Sequence, residues 1–134
     1  MDILIGWQPY ETTFKGQTVT MELLPLTVSL FKLVLPHMKK IEDKDEAAQN
    51  ALDLIGKSLP VFQGHVRGIQ GFTVNGGPVA AEQVQGEALF VHLAQDIINE
   101  LFIRSTITEA EGKNSGSPSE ALSSESNQPS PSEA

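Results

Sequence analysis

The chain has 134 residues, a formal net charge of −8 and no cysteine. That length suits one domain. The missing thiols exclude disulfides, thiol catalysis and Cys-based metal sites, and the acidic balance argues against nucleic acid, whose phosphates need a basic patch. The one pair of adjacent basic residues, Lys39-Lys40, is followed at once by acids.

In chain order, "DILIGW" places Ile3, Ile5 and Trp7 on one face at period two, the pattern of a strand that Pro9 interrupts. A β-hairpin is expected from about Glu11 to Leu23, turning at Lys15-Gly16. Its second arm alternates Val19, Met21 and Leu23 with Thr18, Thr20 and Glu22. From Leu26 to Lys40 the period becomes helical, with Leu26, Leu30, Leu33 and Val34 in one stripe and Val28, Phe31 and Leu35 widening it nearly all round. Pro36 must end or kink that helix.

Asp43 or Asp45 can cap a second helix over about Asp45–Ser58, with Ala48, Ala51, Leu52 and Ile55 inward. Ser58 and Pro60 suggest a fresh start, and "PVFQGHVRG" reads as a short helix or an extended run. Asn75-Gly76-Gly77 marks a second short hairpin between Phe72–Val74 and Pro78–Ala80. A last helix, from Gly86 or Glu87 to Ser105, carries Leu89, Phe90, Leu93, Ile97, Leu101 and Phe102 in one apolar stripe, with Gln95, Asn99 and Arg104 toward water.

After Thr108 the composition shifts abruptly to Ser, Glu and Pro. Such a segment cannot bury enough apolar area to offset its chain entropy, so disorder is expected over 109–134. Five glutamates against one lysine place half of the net charge there. The expected architecture is therefore a mainly helical α+β domain over 1–108: an N-terminal β-hairpin, three to four helices, a second short β-hairpin before the C-terminal helix, and a disordered tail.

The longest apolar stretch, Leu23–Leu35, has 13 residues and contains Pro25 and Lys32. A membrane span needs about 20. The N-terminus lacks the basic region of a signal peptide, so the expectation is a cytoplasmic protein without membrane contact.

Catalysis finds no support. His37, His65 and His92 lie far apart, and His92 with Asp96 is at most half of a site, since metals need three or four converging ligands. The glycine-rich stretches "GHVRGIQG" and "VNGGPV" match no phosphate-binding loop. The acidic run Glu42, Asp43, Asp45, Glu46 lacks the ligand spacing of a calcium loop and suits a helix N-terminus. No serine lies in a GxSxG context. No catalytic residue, cofactor or metal is expected.

Interaction remains. "LLPLTVSLFKLVLPHM" carries more apolar side chains than one helix face requires. It reads either as the core of the domain or as a surface that holds a partner's apolar helix.

Three features in order, the hairpin "TTFKGQTVTMELLPLTVSLF", the middle "VRGIQGFTVNGGPVAAEQV" with the terminal helix, and the Glu/Ser/Pro tail, resemble the tail assembly chaperones of long-tailed, lambda-like bacteriophages. The resemblance spans most of the chain and lies in architecture, not in a diagnostic motif. It implies a non-enzymatic protein of the infected cell's cytoplasm that binds the tape-measure protein, keeps it soluble and gives way to the tail tube protein. Self-association is implied as well. It also implies a minor longer form, made by ribosomal frameshifting, for which the tail is a linker. From apolar spacing, the partner surface is placed on Leu26, Leu30, Phe31 and Val34 and on Leu89, Phe90, Leu93, Ile97 and Leu101. The alternative is a virion structural protein, such as a head–tail joining or tail-completion subunit, which would persist in the particle.

Overall fold

The computed structural model describes residues 2, 3 and 5–106. The Ser/Glu/Pro segment expected at 109–134 and the end of the expected domain at 107–108 lie outside the described residues. Ile5–Ser105 form one compact unit of mainly helical α+β architecture.

Three antiparallel strands, β1 (Gln8–Phe14), β2 (Gln17–Leu23) and β3 (Val66–Gln70), form one sheet in the order β1-β2-β3. The expected hairpin is β1-β2. Its two-residue turn puts Lys15 at φ 51° and Gly16 at φ 78°, the primed geometry that matches strand twist. Phe14 pairs with Gln17 and Gln8 with Leu23, so the pairing is continuous. The first segment differs from expectation. Ile5–Trp7 form no strand, Ile5 is exposed, and Pro9 lies within β1 rather than before it. β1 is an edge strand, where a residue without N–H is tolerated.

Among the described residues five α-helices follow the hairpin: α1 (Val28–Val34), α2 (Lys44–Lys57), α3 (Leu59–His65), α4 (Ala81–Gly86) and α5 (Val91–Ser105). Thr27 caps α1 by accepting from the Leu30 N–H at 3.3 Å. Pro36 then limits the chain to a single 3-10 turn, Leu35–His37, as ring and missing N–H require. Asp43 caps α2 by accepting from Glu46 N–H at 3.0 Å.

"PVFQGHVRG" resolves as helix followed directly by strand, α3 into β3. Leu24 N–H donates to His65 O at 3.0 Å, and His65 Nδ1 lies 2.9 Å from Leu24 O. These two bonds fix the junction against the end of β2. The pairing of β3 with β2 is irregular between Thr20 and Glu22, where Gly68 takes φ 68°.

The second hairpin is reduced to its turn. Asn75 and Gly76 have positive φ, and Val74 and Gly77 form an isolated bridge. The arms do not pair, because Pro78 has no N–H to extend the ladder and Phe72 turns into an aromatic cluster with Phe14 and Phe90, at centroid distances of 5.6 Å each. The chain then forms α4, absent from the sequence expectation. A 3-10 turn at Ala88–Phe90 precedes α5, so the terminal helix begins later than its apolar stripe suggests.

One core joins these elements. Val19, Met21 and Leu23 of the sheet meet Val34, Leu54, Ile55, Val61, Phe62 and Val84 from the helices. Leu93, Ala94, Ile97, Ile98 and Leu101 supply the buried face of α5. On α2 the expected inward set shifts. Leu54 and Ile55 are buried, Ala51 is half-buried, and Ala48 and Leu52 face water.

Candidate functional site

Two surfaces remain once the core is assembled. The first lies on α1. Its inward residues Leu30, Leu33 and Val34 pack on the core. Val28, Phe31 and Leu35, spaced i, i+3, i+7, form a second stripe. Val28 is 78 % and Leu35 49 % exposed. Phe31 is half-buried and stacks on Phe102 of α5, with centroids 5.0 Å apart and planes 9° from parallel. Ile103, the next residue of α5, is also exposed. The last turn of α5 is tied to the start of α1 by Ser105 Oγ, which accepts from Leu26 N–H at 2.8 Å and donates to Leu101 O at 2.6 Å.

This arrangement corrects the surface expected from spacing. Val34, Phe90, Leu93, Ile97 and Leu101 are core residues, each at most 9 % exposed. Leu26 and Leu30 are half-buried against the core, and Phe31 is half-buried against Phe102. Leu89 alone of the nine is freely exposed, at 75 %. The stripe on α5 is the one that sheet and helices cover, so it holds the domain together. Val28 and Leu35, read in the sequence only as widening, are the outward pair.

The second surface is a groove of about 650 Å³ between the end of β1 and one face of α5. Thr12, Thr13 and Lys15 line one side, and Leu89, His92 and Asn99 lie on the other. At its base Asp96 accepts hydrogen bonds from the hydroxyls of Tyr10, at 3.0 Å, and Thr12. Farther along α5, Arg104 ties that helix to the start of β1. Its Nη2 donates to Pro9 O at 2.9 Å and its Nε to Glu100 Oε2 at 2.7 Å. Gln95 Nε2 donates to Asn99 Oδ1 at 2.9 Å, while the buried Gln95 Oε1 has no partner among the described residues. Gln95 and Arg104 are half-buried rather than solvated as expected, and Asn99 faces water.

Burial raises the Tyr10 phenol above its usual 10.0, and the nearby Asp96 carboxylate adds to the rise against the lowering bond from Thr12. A phenol whose folded-state value is raised contributes stability present below pH 10 and lost as pH climbs through the folded value. Tyr10 is the only tyrosine, so its phenolate absorbance reads the site directly. Titration is expected to give a midpoint above that of the unfolded chain. In Tyr10→Phe, the part of the alkaline stability loss due to this phenol should vanish. A native-state midpoint at or below the unfolded one would contradict the assignment.

Among the described residues no group of three or more His, Asp or Glu is placed to hold a metal ion, and no helix is long and apolar enough to cross a membrane. His92 is exposed, and its i,i+4 neighbour Asp96 is directed to the sheet hydroxyls instead. No family model, curated protein or solved structure matches the chain.

Proposed function

We propose that this protein is a non-enzymatic assembly chaperone. It shields the apolar helices of a long coiled-coil partner until that partner is incorporated, as phage tail assembly chaperones do for the tape-measure protein. The observation that carries the reading is the outward stripe Val28, Phe31, Leu35 with Phe102 beside it, an apolar strip on helices whose other faces already supply the core. A partner helix laid along it would bury Val28 and Leu35 and cover the Phe31–Phe102 pair. Burial at about 25 cal/mol per Å² of apolar area supplies the affinity. The chain's net charge of −8 keeps copies apart when crowded. On this reading the protein acts in the host cell cytoplasm, hands its client to the tail tube protein, and carries 109–134 as a linker to a frameshift-encoded extension.

The test is co-expression with the tape-measure protein of the same genome. The client is expected in the soluble fraction and co-purifying with the chaperone, and in the pellet without it. Val28→Asp combined with Leu35→Asp should return it to the pellet. Recovery of the protein in purified virions, in fixed ratio to the tube subunit, would favour the structural-subunit reading. Mass spectrometry of the native products for a longer form sharing this N-terminus tests the linker role.

A further inference from the structure

We infer that the outer edge of β1 is a second docking site, one that takes an extended, basic peptide segment as an added strand. The hydrogen-bond pattern of the hairpin leads there. A two-residue turn makes its flanking pair, Phe14 and Gln17, the hydrogen-bonded one, and the pattern then alternates. Thr12, Tyr10 and Gln8 therefore spend their N–H and C=O on β2, in register with Val19, Met21 and Leu23.

Pro9, Glu11 and Thr13 direct theirs outward, and among the described residues β1 has no neighbouring strand on that side. Pro9 has no N–H, and its carbonyl is occupied by Arg104. The edge is thus closed at Pro9 and open at Glu11 and Thr13. An unpaired edge of this kind is ordinarily blunted by a charge or a proline. Here the proline and arginine blunt one end only, and the open end coincides with the groove.

The groove sets the side-chain requirement. Peptide residues opposite Glu11 and Thr13 share their exposed outer face, where Glu11 favours a lysine or arginine. The residue between them points inward, among Thr12, His92, Gln95 and Asn99, a setting for a small hydroxyl or amide. The occupant is therefore a strand alternating basic and small polar residues. Its charge complements a chain of net −8. This site shares no residue with the Val28–Phe31–Leu35 strip, so either can fail without the other.

The probe is a capped synthetic peptide of about eight residues alternating threonine and lysine, near the usual strand length. Titrated into the full chain at moderate salt, it should shift the backbone amide resonances of Glu11–Lys15 and Leu89–Asn99. Two N-methylated versions separate strand addition from charge attraction. Methylating one alternate set of residues removes the N–H groups that face β1, and binding should fall at least about tenfold, a change of 1.4 kcal/mol. Methylating the other set leaves charge and pairing intact, and binding should survive. Thr13→Pro removes an N–H that β2 does not use and should weaken the peptide equally, provided the circular dichroism spectrum is unchanged. Equal binding by both methylated peptides, or shifts spread over acidic surface elsewhere, would overturn the assignment. A concentration-dependent dimer that perturbs the same amides without peptide would give the edge to a second copy and overturn it too.

Discussion

Replacing Gly71 by alanine is expected to lower the unfolding free energy by about 3 kcal/mol or more, one of the two largest single-residue effects argued for this chain. Two independent constraints meet there. Gly71 has φ +120°, outside the range an L side chain readily adopts, and a Cβ built on it would lie 2.2 Å from Thr18 O and 3.0 Å from Val19 Cα. Both obstacles are backbone atoms of the central strand, so neither can swing aside. Relief requires moving the end of β3 off β2, which disturbs the sheet that carries Val19, Met21 and Leu23. At about 4–8 °C per kcal/mol for a domain of this size, the midpoint of thermal unfolding should fall by at least about 12 °C. Gly64 is the matching control. It is the penultimate residue of α3, with nothing within 4 Å of its built Cβ, and Gly64→Ala should raise stability by at most about 0.5–1 kcal/mol through helix propensity alone. Denaturant melts of the two variants read both signs, and a Gly71→Ala protein as stable as the parent would mean that β3 does not approach β2 as described.

The contrast between these two glycines also shows where sequence reading stops. The hairpin β1-β2 was legible because its signals are local: an alternating second arm and a Lys-Gly turn. The helices α1, α2 and α5 were legible in kind from their periodicity, and Pro36 and Asp43 act where local chemistry puts them. Nothing local distinguishes Gly71 from Gly64. The difference is Thr18 O, a backbone atom from a strand far away in sequence. β3 was legible only as one of two readings of "PVFQGHVRG" for the same reason, since five residues containing Gly68 become a strand only when β2 offers its free edge.

The candidate site was half legible. Counting apolar positions correctly found too many for one face of α1. It could not tell which stripe the core would take, because that depends on how α5 and the sheet close over it. The core took Leu30, Leu33 and Val34 and left Val28, Phe31 and Leu35. The groove gave still less sign of itself. Asp96 looked like half of a His–Asp pair on one helix, whereas its partners are hydroxyls of β1, 84 and 86 positions away in the chain.

That partition makes the second large effect informative. Leu101→Ala is expected to cost about 2–5 kcal/mol, because Leu101 is 0 % exposed and its removal leaves a cavity between α5 and its neighbours. Val28→Asp and Leu35→Asp change residues that are 78 % and 49 % exposed. Val28 lies in the first turn of α1, where an acid is favoured, and Leu35 is its C-cap, where an acid costs about 0.3–1 kcal/mol, so the pair should cost about 1 kcal/mol at most. Stability and client binding should therefore separate. The Leu101 variant loses stability and, when kept below its lowered melting point, still holds the client. The double Asp variant loses far less stability than the Leu101 variant and releases the client. Denaturant melts paired with client co-purification at low temperature test both halves. If the double Asp variant still carried the client, the α1 strip would not be the client surface. If Leu101→Ala left stability unchanged, the assignment of the α5 stripe to the core would fall, and with it the reason for moving the partner surface outward to Val28 and Leu35.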